Sequence, residues 1–404
     1  MLIQRPALKP EIIFLIVALV FGITFALITP MFQVNDEGDH YLKVTHLSQG
    51  QVFVKQSKVF ITLYSPIPYL IPTLAFFIGK ILGLSAVVIF YIGRLSNLFL
   101  YILIVFLAIK YTPILKWVFF ALALMPMALY EAASLSSDGF NIAISFLLIA
   151  YILKLAFDDK IPKINKDQYL IVLVLGLMLA LSKEIYVLSL LLFLIIPKQK
   201  FINRNFKYTR FFIIFVFSIS AALLWGLLVK GLYVPMNFNI NPQEQISFIL
   251  THLITFIWIL IATISQNLLF YLTSFVGTFG WKDIGLDTSL SPFLVYLYIL
   301  FVFFVALTDK IEVDMQLRKK LFSITLFLVS LVSIFILEYL TWTTVGNNLI
   351  DGVYGRYLIP IAPLLFLGFY NKQIPNFKGN NILVPCFIII MLFISVFMIY
   401  HRFY

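Results

Sequence analysis

Ile12-Ile13-Phe14-Leu15-Ile16-Val17-Ala18-Leu19-Val20-Phe21-Gly22-Ile23-Thr24-Phe25-Ala26-Leu27-Ile28-Thr29 is an uncharged apolar run, closed by Pro30 and followed by Gln33-Val34-Asn35-Asp36-Glu37-Gly38-Asp39-His40-Tyr41. A helix of about 20 apolar residues spans the hydrocarbon core of a bilayer. The run is too long for a typical signal-peptide core and lacks a small-residue cleavage site, so it is expected to stay as a first span, about 11 to 29, behind Arg5 and Lys9. The rest of the chain repeats this signal. Of 404 residues, 62% are apolar and 12% charged, with a mean hydropathy of +1.02, whereas soluble domains hold roughly 45–50% apolar and about 25% charged residues. Aqueous enzymes, secreted disulfide scaffolds and disordered chains are excluded. Long apolar runs indicate helices, since barrel strands alternate over short segments.

The expected fold is all-α: a polytopic transmembrane bundle of 11 to 13 helices, with residues 1–404 as one integral membrane domain and no separate soluble domain. Residues 31–84 form the first extracytoplasmic loop. Within it Ser65 to Gly83 is apolar but carries Pro66, Pro68 and Pro72, which limit a straight helix to about 11 residues. It reads as a juxtamembrane helix. Further spans are expected at about 85 to 109, 115 to 133, 138 to 156, 169 to 183, 186 to 197, 211 to 232, 292 to 308, 321 to 340, 356 to 371 and 382 to 400. The segment 248 to 275 falls short of the roughly 40 residues that two crossings need and reads as re-entrant.

The net charge of +11 is placed for topology rather than for nucleic acid: Lys198, Lys200, Arg204, Lys207 and Arg210, and Arg318, Lys319 and Lys320, lie in short loops. This layout puts 19 of the 29 basic and 7 of the 18 acidic residues on the cytosolic side, leaving the outer side slightly acidic. Cys386 is the single cysteine, which excludes an internal disulfide and a thiolate cluster.

Chemistry is therefore sought outside. In Asp36-Glu37-Gly38-Asp39-His40, a helix starting at Asp36 would set Asp36, Asp39 and His40 on one face and turn Glu37 aside. A partly buried carboxylate there suits a general base; the plainer reading is an acidic first turn serving the helix dipole. One histidine cannot make a zinc helix of the His-Glu-x-x-His kind, and a carboxylate-only divalent-cation site is a further reading. Asp138, in Ser134 to Asn141 with Glu131 one turn earlier, is either a second acidic site or an N-cap. Arg94, Lys183 and Arg356 are cations outside or within the membrane, where charges find a partner or a ligand. Arg356 offers a planar fork to phosphate; Lys183 pairs with Glu184, snorkels or binds a ligand; Arg94 binds a ligand or neutralises a carboxylate. Trp281-Lys282-Asp283 is a loop over a groove or an interfacial belt.

Taken together, Asp36-Glu37-Gly38-Asp39-His40, Ser134 to Phe140 and Gly355-Arg356-Tyr357-Leu358-Ile359-Pro360 resemble the GT-C superfamily of integral membrane glycosyltransferases, and within it a bacterial membrane-protein family marked by Asp-Glu-x-x-His. The resemblance implies a GT-C-like fold in the bacterial plasma membrane, with its active site on the extracytoplasmic face. It implies a polyprenyl-phosphate sugar donor held among membrane lipids and a glycan or lipid-linked acceptor, Asp36 and Glu37 as catalytic carboxylates, and His40, Asp138, Lys183, Arg94, Arg356 and Tyr357 as substrate-binding residues. A lipid-linked-saccharide flippase or an envelope-assembly scaffold is the alternative.

The topology is open to a direct check. Cysteines introduced at Ser48 and Asn203 should label from opposite sides of the membrane with an impermeant reagent in intact cells; labelling from one side contradicts the layout.

Overall fold

A computed structural model of the chain describes residues 9–53, 60–232, 239–280, 288–309, 313, 315–372, 374, 377 and 379–404. Among them the fold is all-helical, with one isolated antiparallel bridge between Thr278 and Ser289. In chain order the helices are α1 (Pro10–Ile28), α2 (Glu37–Ser48), α3 (Leu70–Ile81), α4 (Ala86–Tyr111), α5 (Lys116–Ala123), α6 (Pro126–Ala132), α7 (Asp138–Phe157) and α8 (Lys166–Ser182). They continue as α9 (Arg204–Val229), α10 (Pro242–Thr251), α11 (Leu253–Gln266), α12 (Leu268–Val276), α13 (Pro292–Thr308), α14 (Leu317–Thr341), α15 (Ala362–Phe369) and α16 (Asn380–Phe403). Among the described residues six helices are long and apolar enough to cross a membrane, or up to seven if the bent pair α10 and α11 is one span.

Length and composition locate the long helices, and local chemistry ends them. The Ser85 side chain accepts from Val88 N to cap α4, and Asn165 with Gln168 forms a capping box on α8. α7 is buried along most of its length and packs against α4, which also packs against α1 and α3. Helix α9 instead presents Phe212, Phe217, Leu223 and Leu227 outward, as a lipid-facing helix does.

Three expected spans are broken. Residues 115 to 133 form α5 and α6, because Met125 takes an extended conformation before Pro126. The break leaves carbonyls at the end of α5 without helical partners, and two buried tyrosines satisfy them: Tyr101 Oη donates to Ala123 O at 2.6 Å and Tyr298 Oη to Ala121 O at 2.7 Å. At its other end, α5 is capped by a distant side chain, Asp309 Oδ2 accepting from Trp117 N at 2.8 Å. Residues Glu184–Ile195 form a 3₁₀ helix after the extended Lys183, and the 356 to 371 segment divides into a 3₁₀ helix, Gly355–Ile361, and α15. In the first loop a 3₁₀ turn, Ile67–Tyr69, leads into α3, whose Pro72 sits in the first turn where a missing donor is harmless. The 248 to 275 region is α10 to α12, with α10 and α11 bent by 107°.

Close approach fixes the start of the Gly355–Ile361 helix. A Cβ on Gly355 would overlap Tyr271 O and Phe275 N of α12, and Gly355 N donates to Ser274 Oγ at 2.8 Å. Gly355→Ala should therefore cost about 3 kcal/mol or more, because main chain must move. Gly226→Ala in α9, where a Cβ meets nothing within 4 Å, should be neutral or stabilising by up to about 1 kcal/mol. Thermal melts of both variants check the contrast; equal melting temperatures would refute it.

Candidate functional site

The site is assembled at the end of the bundle where α1 finishes and α2, α7 and the Gly355–Ile361 helix begin. Loop residues 30–36 carry two non-glycine residues in the left-handed region, Phe32 (φ 63°) and Asp36 (φ 62°). Asp36 precedes α2 as its N-cap, yet its side chain makes no capping bond. Its carbonyl accepts from Asp39 N and His40 N instead, and its carboxylate is directed to Arg356, Oδ2 lying 2.6 Å from Nη2. Such strained loop conformations gather where a side chain must be aimed.

Arg356 is the hub. Its buried guanidinium contacts three carboxylates from three elements: Asp36, Glu131 of α6 (Nη1 to Oε1, 3.2 Å) and Asp138 of α7 (Nε to Oδ2, 3.2 Å). Asn35, its amide oriented for hydrogen bonding, accepts from Arg356 Nη1 at 3.2 Å and donates to Gly280 O at 3.1 Å. Glu131 is fully buried, and its Oε2 has no hydrogen-bond partner among the described residues. Of the three carboxylates Asp36 is the most open, its side chain 36% exposed against 14% for Asp138 and none for Glu131. Asp138 is the first residue of α7 rather than its cap; Ser137 holds the N-cap position, and Asp138 N donates to Ser136 Oγ at 3.1 Å. Its charge still favours the helix N-terminus.

Glu37 and Arg94 have a different place from the one expected for substrate groups. Both side chains are fully buried in a bidentate pair, Nε to Oε1 at 2.7 Å and Nη2 to Oε2 at 2.5 Å. Arg94 also donates to Ala26 O, Thr29 O and Pro30 O at 2.9, 2.6 and 3.0 Å. These five bonds use all the donors a guanidinium has. Glu37 further accepts from Phe32 N and Leu135 N. The sequence reading offered Glu37 as a catalytic carboxylate and Arg94 as a ligand group or a carboxylate's partner; in this structure all their donors and acceptors are taken up within the protein, and Arg94 is the partner of Glu37.

Lys183 joins neither Glu184 nor any other carboxylate in an ion pair among the described residues. Its ammonium lies 3.6 Å from the Tyr357 ring centroid. Tyr186 Oη donates to Tyr357 O at 3.0 Å. Glu338 of α14 stands in the electrostatic field of Lys183, Arg356, Asp138 and Asp36. His40 is 5% exposed, its Nδ1 at 2.8 Å from Tyr69 Oη. Burial lowers its pKa from 6.5 to about 4; Asp36 and Asp138 oppose that shift, while Arg356 and Lys183 add to it. It is therefore neutral at pH 7 and buried beside Tyr69. Asp39 is pushed up by burial and by Asp36.

Sequence reading thus picked out Asp36, Asp138, Lys183, Arg356 and Tyr357, which the fold brings together. It assigned no role to Glu338, Tyr69 or Arg402. A lone carboxylate within the apolar run 321 to 340 was a readable signal for Glu338; Tyr69 had none. Arg402 Nη1 donates to Phe279 O at 2.5 Å and to Thr288 Oγ1, tying the last helix to the bridge at Thr278 and Ser289. Trp281-Lys282-Asp283 lies outside the described residues. Among those described, no three His, Cys, Asp or Glu side chains are arranged to hold a metal ion; a guanidinium is the cation at the centre of the carboxylates.

The sequence pattern of the family described as Predicted membrane protein (DUF2142) matches residues 54–365, and the chain belongs to that family. The match includes Arg94, Glu131, Asp138, Lys183, Glu338 and Arg356, and begins after the Asp36 to His40 motif. No curated protein and no solved structure matches the chain.

The buried His40 sets a pH dependence. Between about pH 6.5 and 4 the unfolded chain takes up a proton that the folded one refuses, so stability present above pH 6.5 is lost as pH falls towards 4. The loss should reach about 3 kcal/mol. His40→Gln, neutral throughout, should melt with a weaker acid dependence than the parent; identical profiles from pH 7 to 4.5 would contradict the assignment.

Proposed function

We propose that the protein is a GT-C-type glycosyltransferase, moving a sugar from a polyprenyl-phosphate donor to a cell-envelope glycan or lipid-linked acceptor on the outer face of the bacterial plasma membrane. The observation that carries this reading is the partly open Asp36 carboxylate, held 2.6 Å from the buried Arg356 at the mouth of the first span, with Asp138 on the same guanidinium. On this reading the shorter apolar elements also cross, giving 11 to 13 crossings, and the basic loops face the cytosol.

Asp36 is the base. It takes the proton of the acceptor hydroxyl as that oxygen attacks the anomeric carbon; the bond from that carbon to the phosphate oxygen breaks, and polyprenyl phosphate leaves with the electron pair. One displacement inverts the anomeric configuration. Arg356 holds the Asp36 carboxylate in place, and with three carboxylates around it, it has little attraction left for an anion. Lys183 is better suited to the donor phosphate, since it has an aromatic face and, among the described residues, no carboxylate in ion-pair contact. Apolar side chains hold the isoprenoid tail.

A flippase or transporter is the second reading, favoured by the 107° bend between α10 and α11, because broken helices line transport sites. The charged residues favour the enzyme, gathering at one set of helix ends: Asp36 before α2, Asp138 at the start of α7, Lys183 at the end of α8 and Arg356 before α15.

With purified protein and a polyprenyl-phosphate sugar, Asp36→Asn should reduce transfer by about 10² or more and leave donor binding intact. Lys183→Ala should weaken donor binding by roughly tenfold to a hundredfold. Near-normal transfer by Asp36→Asn would remove the base role, and saccharide movement across proteoliposomes without transfer would favour the transporter.

A further inference from the structure

At the opposite end of the bundle, a groove of about 200 Å³ lies between the end of the Glu184–Ile195 helix and the start of α14, lined by Leu194, Ile195, Arg318, Lys319 and Phe322. Its chemistry is divided: two cations at the rim and apolar walls below. Beneath it the buried Lys207 of α9 is already satisfied, Nζ donating to Leu194 O at 2.7 Å and Ile196 O at 2.6 Å. Arg318 and Lys319 are not. Among the described residues neither has a carboxylate in ion-pair contact, and Lys319 rests against the Phe157 ring at 4.9 Å. Further positive charge surrounds them, Lys207 lying in the field of Lys198 and Lys319, and Lys319 in that of Lys200. Asp158 and Asp159 act on Lys200. On the outer side of α14, Leu317 and Leu321 are 68% and 53% exposed, so the groove opens beside an apolar helix face.

We propose that this groove binds an anionic phospholipid, its phosphodiester between Arg318 and Lys319 and the first methylenes of an acyl chain on Leu194, Ile195 and Phe322. Basic loops that only set topology need no concavity and no apolar wall. This one has both. The lipid supplies an anion that no described residue brings into ion-pair contact with Arg318 or Lys319.

The test uses the full chain in phosphatidylcholine nanodiscs, titrated with dioleoyl-phosphatidylglycerol and read by native mass spectrometry. Arg318→Gln with Lys319→Gln should weaken phosphatidylglycerol binding about thirtyfold, and phosphatidylcholine occupancy should not change. Lys198→Gln with Lys320→Gln removes equal charge outside the lining and should cost less than threefold. Leu194→Trp fills the groove, keeps every charge and should also lose the lipid. Equal losses in the two charge pairs, or full affinity in Leu194→Trp, would overturn the site in favour of a diffuse surface potential. Displacement of the lipid by millimolar inorganic phosphate would overturn it in favour of a soluble-anion site.

Discussion

The buried pair of Arg94 and Glu37 is the constraint on which the rest of the structure depends. Two charges without solvent contact cost several kcal/mol each to desolvate, and they are retained only where geometry and further hydrogen bonds compensate. Here the compensation is complete on the guanidinium side. Its remaining donors take the carbonyls of Ala26, Thr29 and Pro30, which the end of α1 leaves without helical partners. One side chain of α4 therefore terminates α1, anchors the start of α2 and, through Glu37 and Leu135 N, fixes the loop before α7.

That anchorage explains how a carboxylate comes to face a distant arginine. With Glu37 drawn inward, the chain before it must turn sharply, and Phe32 and Asp36 accept left-handed conformations that cost roughly 1–2 kcal/mol each. The turn takes the Asp36 carboxylate off the N-terminus of α2 and towards Arg356, 320 residues away in sequence. Arg356 in turn gathers Glu131 and Asp138, whose loop is held by Asn97 Nδ2 donating to Ser134 O and Ser136 O. One saturated ion pair builds the frame; a second, partly open one joins three elements through Arg356.

Much of the fold was legible because bilayer thickness translates directly into run length. Residues 292 to 308 coincide with α13, and 11 to 29 and 138 to 156 differ from α1 and α7 by a residue. What broke the other spans was local: Pro126 stood in the sequence as a breaker, whereas nothing there announces the 3₁₀ geometry of Glu184–Ile195. At the site, residue types were readable and partners were not. The helical spacing sets Asp36 on a face with Asp39 and His40, but α2 begins at Glu37 and Asp36 stands before it in a left-handed conformation, while Glu37 is drawn inward by Arg94, 57 residues on. Arg356 reads in the sequence as a fork for phosphate, and its partners Asp36, Glu131 and Asp138 come from distant segments, while Asp351, the nearest acidic residue in sequence, turns to Asn347.

The claim that the Arg94 and Glu37 pair frames this end of the molecule is tested most directly by a double-mutant cycle on the purified protein, with Arg94→Met, Glu37→Met and the double variant unfolded in parallel. Each single change strands a buried charge and should lose about 3–5 kcal/mol, with the double variant no less stable than either single one. Losses that simply add would show that the two residues act independently, and would contradict the account.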